Sequence, residues 1–173
     1  MKPHMFETER LLMRPTDTTD AEFILALMNT PKWLEYIGDR NVHSIDQAKD
    51  YIKNKITPQL NRLGYSNYTV IRKIDRIKMG TCGLYDREGL EGIDLGFAFL
   101  PNYKKKGFAF ESVEKLKTEA YNTVNIKQLS AITKQENKES QQLLEKLGFT
   151  FLELIKIPKD TAKLMLYCSP INN

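Results

Sequence analysis

Between Ile93 and Thr133 the sequence sets a strand, an amphipathic helix and a second strand in a row, and this restricts the fold more than any other feature. Ile93 to Leu100 and Gln128 to Thr133 read as strands, while the stretch from Gly107 to Thr123 puts Val113, Leu116, Ala120 and Val124 on one helical stripe. A helix between two strands of one sheet is a crossover, so the two strands are expected to lie parallel.

Elsewhere the connections are short. Arg10 to Arg14 reads as a first strand stopped by Pro15, and Asp17 to Asp20 is rich in helix-capping residues, with Phe23, Leu27 and Met28 following at helical spacing. Ser44 and Gln47 have the spacing of a capping box that opens a second amphipathic helix, with Ala48, Tyr51, Ile52 and Ile56 on one face. Pro58 is expected to kink or split that helix, and Gly64 to end the segment. Strands follow at Tyr65 to Arg72 and Lys78 to Tyr85, with turn chemistry at Asp75-Arg76 and from Asp86 to Gly89. Asn137 to Leu147 reads as a helix closed by Gly148, and Phe149 to Ile157 and Ala162 to Cys168 as the last two strands. No linker or internal repeat interrupts this order. It predicts a single α+β (mixed α/β) domain over residues 1–173, with a mostly antiparallel central sheet, one parallel pair and flanking helices.

Composition narrows the function classes. Hydrophobic content of 41% and charged content of 28% are those of an ordinary globular chain. The net charge of +4 is too small alone to argue for nucleic acid, so the placement of charge matters more than its sum. No apolar run approaches the ~20 residues a bilayer span requires, and Met1 to Arg10 holds no apolar segment suited to secretion. Cys82 and Cys168 are isolated from each other in sequence. The expectation is a cytoplasmic protein with reduced thiols and no membrane partner. Two histidines, His4 and His43, and two lone cysteines make a poor ligand set, so no metal is expected.

The stretch Leu100 to Ser112 is the one most suited to chemistry. A strand ends, a basic loop of Lys104, Lys105 and Lys106 follows, and Gly107 and Ala109 open a helix. Unpaired N–H groups and partial positive charge at a helix start suit phosphate, and small residues let backbone approach it closely. A solvated lysine loop capping a helix accounts for the same residues.

Lys104-x-x-Gly107-x-Ala109 resembles the pyrophosphate signature of the GNAT superfamily of N-acetyltransferases, which reads Gln or Arg, two residues, Gly, one residue, then Gly or Ala. Lys at the first position departs from that pattern but keeps a donor. Glu111 and Phe97 to Pro101 are similar to the same family, and Asn137-x-x-Ser140 running on to Phe149 resembles its second cofactor segment. Glu9 to Arg14, Asn29 to Trp33 and Gly38 to Arg40 resemble the branch that holds the ribosomal-protein alanine N-acetyltransferases. The resemblance covers nearly the whole chain in order. It implies that the strand from Ile93 to Leu100 carries a bulge, for which Gly96 is the natural residue, and splays from the strand Gln128 to Thr133. It also implies acetyl-CoA as co-substrate. The pantetheine arm would lie along Ala98, Phe99 and Leu100, and the pyrophosphate beside Lys104 on the amides of Lys105, Lys106, Gly107, Phe108 and Ala109. Asn137 and Ser140 would sit near the thioester.

The implied reaction moves an acetyl group to a primary amine, on a protein N-terminus or a small molecule. Asp94 is the candidate general base, with a structural ion-pair partner as its plainer reading. Glu35 and Asp39 lie in the segment that covers the acceptor site in relatives, and are alternative bases, ammonium ligands or simple caps. Many relatives carry a tyrosine acid seven residues after the counterpart of Asn137, where this chain has Leu144. Ser140 is the replacement proposed, or else a second capping hydroxyl, and Tyr103 is a further possible donor. Trp33 with Tyr36 reads as core or acceptor-wall packing, and an oxyanion donor is expected among the backbone N–H groups at the bulge. From a different class, a non-catalytic acyl-CoA-binding or RNA-associated module would use the same lysines on phosphate. Phe97 and Phe99 alternate along one strand rather than forming a basic stacking face, which argues against nucleic acid. A homodimer stays open, since dimers are common among such relatives, as do the acceptor and the acyl chain length.

Overall fold

Local signals account for most of the helices in the computed structural model, which describes residues 4–169. Asp17 accepts from the Thr19 backbone N–H while Asp20 accepts from that of Asp17, a reciprocal cap that leads into α1 (Ala21–Met28). Thr30 caps α2 (Pro31–Tyr36), with Pro31 in its first turn. Ser44 caps α3 (Ile45–Tyr51) through the Gln47 N–H at 3.1 Å, but Gln47 Oε1 accepts from His43 rather than from Ser44. Half of the expected capping box is therefore present. Pro58 has no N–H to offer the preceding turn, and the helix widens into a π turn over Ile52–Ile56 before resuming as α4 (Thr57–Leu63). The longer helices are α5 (Phe108–Asn122) and α6 (Lys138–Lys146).

Among the described residues eight strands form one sheet. They are β1 (Phe6–Glu7), β2 (Leu11–Pro15), β3 (Asn67–Arg72), β4 (Lys78–Tyr85), β5 (Ile93–Phe99), β6 (Leu129–Lys134), β7 (Thr150–Ile155) and β8 (Leu164–Ser169). Their spatial order is β1-β2-β3-β4-β5-β6-β8-β7. Every neighbouring pair is antiparallel except β5 and β6, which the α5 crossover makes parallel. β1 is too short to show a periodic pattern in sequence. Pro15, expected to stop the second strand, instead ends it as a paired residue opposite Tyr68.

Alternation divides the sheet into two faces. Tyr68, Val70, Cys82, Leu84, Leu95 and Phe99 point into one core with Phe108, Val113, Leu116 and Ala120 of α5. Phe97 packs against this core as well. The opposite face carries Asn67, Thr69, Thr81, Tyr85 and Asp94, and α1 to α3 with the π turn gather over a smaller apolar cluster of their own that includes Ile24, Met28, Ala48 and Ile52, while Leu63 of α4 packs against the larger core. No helix of the described residues is long and apolar enough to cross a membrane.

The polar face is joined to α1 by Asp20, whose side chain is fully buried. Its carboxylate accepts from both terminal nitrogens of Arg14 at 2.8 and 2.7 Å, from Thr69 Oγ1 at 3.0 Å, and pairs with Lys78 Nζ at 2.7 Å. One side chain thus ties β2, β3, β4 and α1. Burial alone would raise its pKa, but the bonds from Arg14 and Lys78 outweigh it and hold the group below the ordinary carboxylate range. Asp20→Asn strands two cations and should destabilise the protein by about 3 kcal/mol in denaturant unfolding. Because the folded pKa is lowered, the stabilisation is present above the unfolded value of about 3.9 and lost as pH falls through the folded one. The gap between wild type and Asp20→Asn should therefore close in acid, and a gap that stays constant down to the acid transition would contradict this assignment.

Candidate active site

β5 and β6 pair only at Ile93 with Leu129 and Asp94 with Ser130. Beyond that point β5 stays bonded to β4 up to Phe99, and β6 stays bonded to β8 up to Lys134, but not to each other. The facing edges of Leu95 to Phe99 and Ala131 to Lys134 leave backbone groups directed into a wedge-shaped split. An extended chain could complete strand-like bonds there. The bulge expected at Gly96 is absent, since the register between β4 and β5 runs unbroken from Gly80–Phe99 to Tyr85–Asp94. Gly96 is instead required by packing. A Cβ there would lie 2.9 Å from the Tyr85 ring, and one at Gly83 would meet the same ring, whose hydroxyl donates to Asn67.

Asp94 stands at the last paired position, where the strands part. It is 1% exposed, its Oδ2 accepts from Arg87 Nε at 2.7 Å, and Oδ1 is buried with no hydrogen-bonded partner. Burial pushes its pKa up, and Arg87 opposes the shift without cancelling it. Sequence reasoning took the segment holding Arg87 for turn chemistry alone and missed its side chain as the partner of Asp94. The one available hint was an arginine seven residues before an acidic strand position.

The loop after β5 is shaped by backbone. Pro101–Tyr103 makes a short 3-10 turn, and Lys105 and Gly107 both have positive φ, at 59° and 81°. Gly107 is the N-cap of α5, so the first amides of that helix open onto the loop. Arg10 clamps the loop from the β1–β2 turn. It pairs with Glu111 at 2.6 Å, donates to the Lys106 carbonyl at 3.3 Å and lies 4.4 Å over the Phe108 ring. Glu111 also accepts from Thr8 and from the Arg10 backbone. Burial raises its pKa, but the bonds from Thr8 and Arg10 prevail and leave it lowered.

On the other side of the split, Asn137 caps α6 by accepting from the Ser140 N–H at 3.2 Å, and Ser140 lies half-buried in the first turn. Leu144 is core, 1% exposed. Trp33 is half-buried on the helical cluster with its Nε1 donating to Gly38 O at 3.2 Å. Glu35 has an exposed side chain, and its carbonyl accepts from Lys134 Nζ at 2.8 Å. Asp39 caps the Asn41 N–H at 2.7 Å and faces His43 at 3.4 Å, contacts that are local to its own turn. Ala98, Phe99, Leu100 and the loop from Lys104 to Ala109 lie on one side of the split, and Asn137 and Ser140 follow β6 on the other.

A parallel pair that splits, joined by a crossover helix with glycine at its N-cap, defines a class of fold, and comparison with known proteins assigns it. The sequence profile described as the acetyltransferase (GNAT) domain matches residues 10–150. The chain is 30% identical over 145 residues to the uncharacterized N-acetyltransferase p20 of Bacillus licheniformis, covering 82% of this chain and 80% of that one. Among solved structures, the ribosomal-protein-S5-alanine acetyltransferase of Vibrio fischeri superposes with a TM-score of 0.81 at 17% identity, covering 98% of each chain. RimL, a ribosomal L7/L12 α-N-protein acetyltransferase solved with coenzyme A, does so at 0.82 and 14%, covering 98% of this chain and 99% of that one. The chain belongs to the GNAT family of acetyltransferases.

The geometry at Gly107 gives a direct test. A Cβ there would meet Arg10 Nη2 at 3.3 Å and sit at a φ that L-residues disfavour, so Gly107→Ala should cost about 1–2 kcal/mol of stability. Gly107→Glu adds a negative charge facing the loop and should abolish coenzyme A binding in calorimetry while Gly107→Ala keeps most of it. Normal binding by a folded Gly107→Glu protein would mean that the loop does not carry phosphate.

Proposed function

We propose that this chain transfers the acetyl group of acetyl-CoA to a primary amine, at a protein N-terminus or on a small molecule. The observation that carries the proposal is a buried carboxyl, Asp94, at the point where β5 and β6 part. An amine is ammonium at neutral pH and must lose a proton before it can attack. A carboxyl whose pKa is raised by burial is a stronger base than an exposed one, and the Arg87 guanidinium opposes that rise by favouring the charged form.

The proposed roles follow from position. The split receives the pantetheine arm beside Ala98, Phe99 and Leu100. Lys104 and the amides from Lys105 to Ala109 hold the pyrophosphate, and Asn137 and Ser140 border the thioester. Because β5 has no bulge, the proposed oxyanion donors are the alternate N–H groups of β5 that face the split. The amine nitrogen adds to the thioester carbonyl, whose π electrons move to oxygen. The proton lost by nitrogen passes to Asp94 and on to solvent, and collapse of the oxyanion breaks the C–S bond while Ser140 relays a proton from water to the departing thiolate. Trp33 and Glu35 on α2, with Asp39 beyond them, are the proposed acceptor contacts. The two ribosomal-protein enzymes named above share the fold at low identity, so their acceptors motivate a peptide panel rather than select a substrate.

Excess acetyl-CoA should raise the melting temperature, since a ligand at a hundred times its Kd adds about 2.7 kcal/mol. An unchanged melting curve with no heat of binding would falsify the cofactor assignment. Asp94→Asn should lower kcat by roughly 10²–10⁴-fold with nearly unchanged coenzyme A affinity, in a thiol-release assay across small amines and N-terminal peptides. The deficit should narrow as pH rises, because more of the amine then arrives neutral. A full-rate variant would remove Asp94 as base, and loss of cofactor binding would make its role structural.

A further inference from the structure

The helix that carries the proposed acceptor contacts is bound to the phosphate loop through a single carboxylate. Lys32 on α2 donates from Nζ to Glu139 Oε2 at 2.7 Å, and Lys104 Nζ lies 3.9 Å from the same oxygen. Three segments meet there: α2, the loop after β5, and the first turn of α6. The far end of α2 is tethered as well, by Lys134 Nζ at the end of β6, which donates to the Glu35 carbonyl at 2.8 Å. The helix therefore reaches from the loop that follows β5 to the end of β6, across the split.

The charges at this junction do not balance. Two ammonium groups share one carboxylate oxygen, and Lys105 and Lys106 follow in the same loop. The crowding registers on Lys104, whose pKa is pushed down by burial and by the charge of Lys32, against the pull of Glu139. Both lysines keep part of their length in solvent, with side chains 43% and 27% exposed, and so can turn toward a new anion. An exposed ion pair of this kind is weak enough to be exchanged for a better one.

We propose that Lys32 is a phosphate-binding residue, which leaves Glu139 to join Lys104 on the pyrophosphate and so lets cofactor binding fix α2 before the amine arrives. The inference rests on the acetyl-CoA reading above. In the free protein the Glu139 carboxylate stands in for a phosphate oxygen. It offsets the mutual repulsion of the two lysines and competes with the ligand for them. Lys32 is then a positioning residue for the acceptor, acting through the helix that presents Trp33 and Glu35.

Calorimetry with coenzyme A on wild type, Lys32→Met and Glu139→Gln separates the possibilities, with circular dichroism to establish that each variant folds. Lys32→Met should bind five- to tenfold more weakly and lose part of the salt dependence of wild type. Glu139→Gln should bind as tightly as wild type or more so, since it removes the competing carboxylate. At saturating acetyl-CoA, Lys32→Met should raise the acceptor KM with a smaller effect on kcat, and Glu139→Gln should not. Equal weakening by both variants would overturn the proposal, because it would show that the ion pair merely holds the loop in shape. Unchanged affinity and salt dependence in Lys32→Met would overturn it too. Failure of wild type to bind coenzyme A is a different result, which removes the cofactor reading itself and this inference with it.

Discussion

Strands in a sheet normally use both edges, because an unpaired backbone N–H or C=O away from water is costly. β5 and β6 depart from this in a controlled way. β5 keeps its outer partner from Asp94 to Phe99 and β6 keeps its own from Leu129 to Lys134, and they hold each other for only two residue pairs. The α5 crossover makes the pair parallel, and the strands separate toward the end where that helix begins. Much of the site follows from that separation. It leaves main-chain donors and acceptors available to an extended ligand and brings the amides at the start of α5 to the wide end of the wedge. At its apex it leaves Asp94. The remaining strands are joined antiparallel, and the core under α5 holds the outer half of the sheet rigid around the opening.

Two buried carboxylates on the polar face show how environment sets their roles. Asp20 has two cations, a hydroxyl and a backbone N–H directed at it, and its charge is stabilised despite burial. Asp94 has one arginine on Oδ2 and no hydrogen-bonded partner on Oδ1, and burial raises its pKa against the pull of Arg87 and the weaker one of the Ile132 backbone. The first arrangement suits a permanent anion that fastens α1 to the sheet. The second leaves the charged form less supported, and this is the environment on which the proposed role of Asp94 as proton acceptor rests.

The crossover, the parallel pair and the glycine at the start of α5 were legible because each leaves a short-range mark: helical spacing between two strands, and small residues at a fixed offset. Ser44, Pro58 and Gly64 likewise act on their own neighbourhoods, and the helices begin, widen and end where those residues stand. What escaped depends on contacts between distant residues. Gly96 was expected to mark a bulge, as glycine in a strand often does, but it makes room for a ring whose own residue, Tyr85, lies on the next strand. Arg14 meets Asp20, and Lys32 meets Glu139, through tertiary placement that no periodicity encodes. β1 has only two residues and so no pattern to read. The candidate site divides in the same way. The loop residues from Lys104 to Ala109 stand out locally, whereas the partners of Asp94, Glu111 and Glu139 do not.

The two halves of the site differ in what they are made of. The cofactor side is backbone: a left-handed Lys105 and Gly107, the first turn of α5, and the free edges of two strands, all clamped by Arg10 and Glu111. Main-chain amides do not change when side chains do, so the proposed phosphate contacts at the start of α5 do not depend on the side chain of Lys104. The proposed acceptor side rests on the half-buried Trp33 and the exposed Glu35 of a six-residue helix, held at each end through a lysine. Contacts of that kind are worth little individually and are easily replaced. On the proposed reading, a scaffold built this way can hold its acyl donor while its acceptor changes, so the contacts on α2 have to be tested amine by amine.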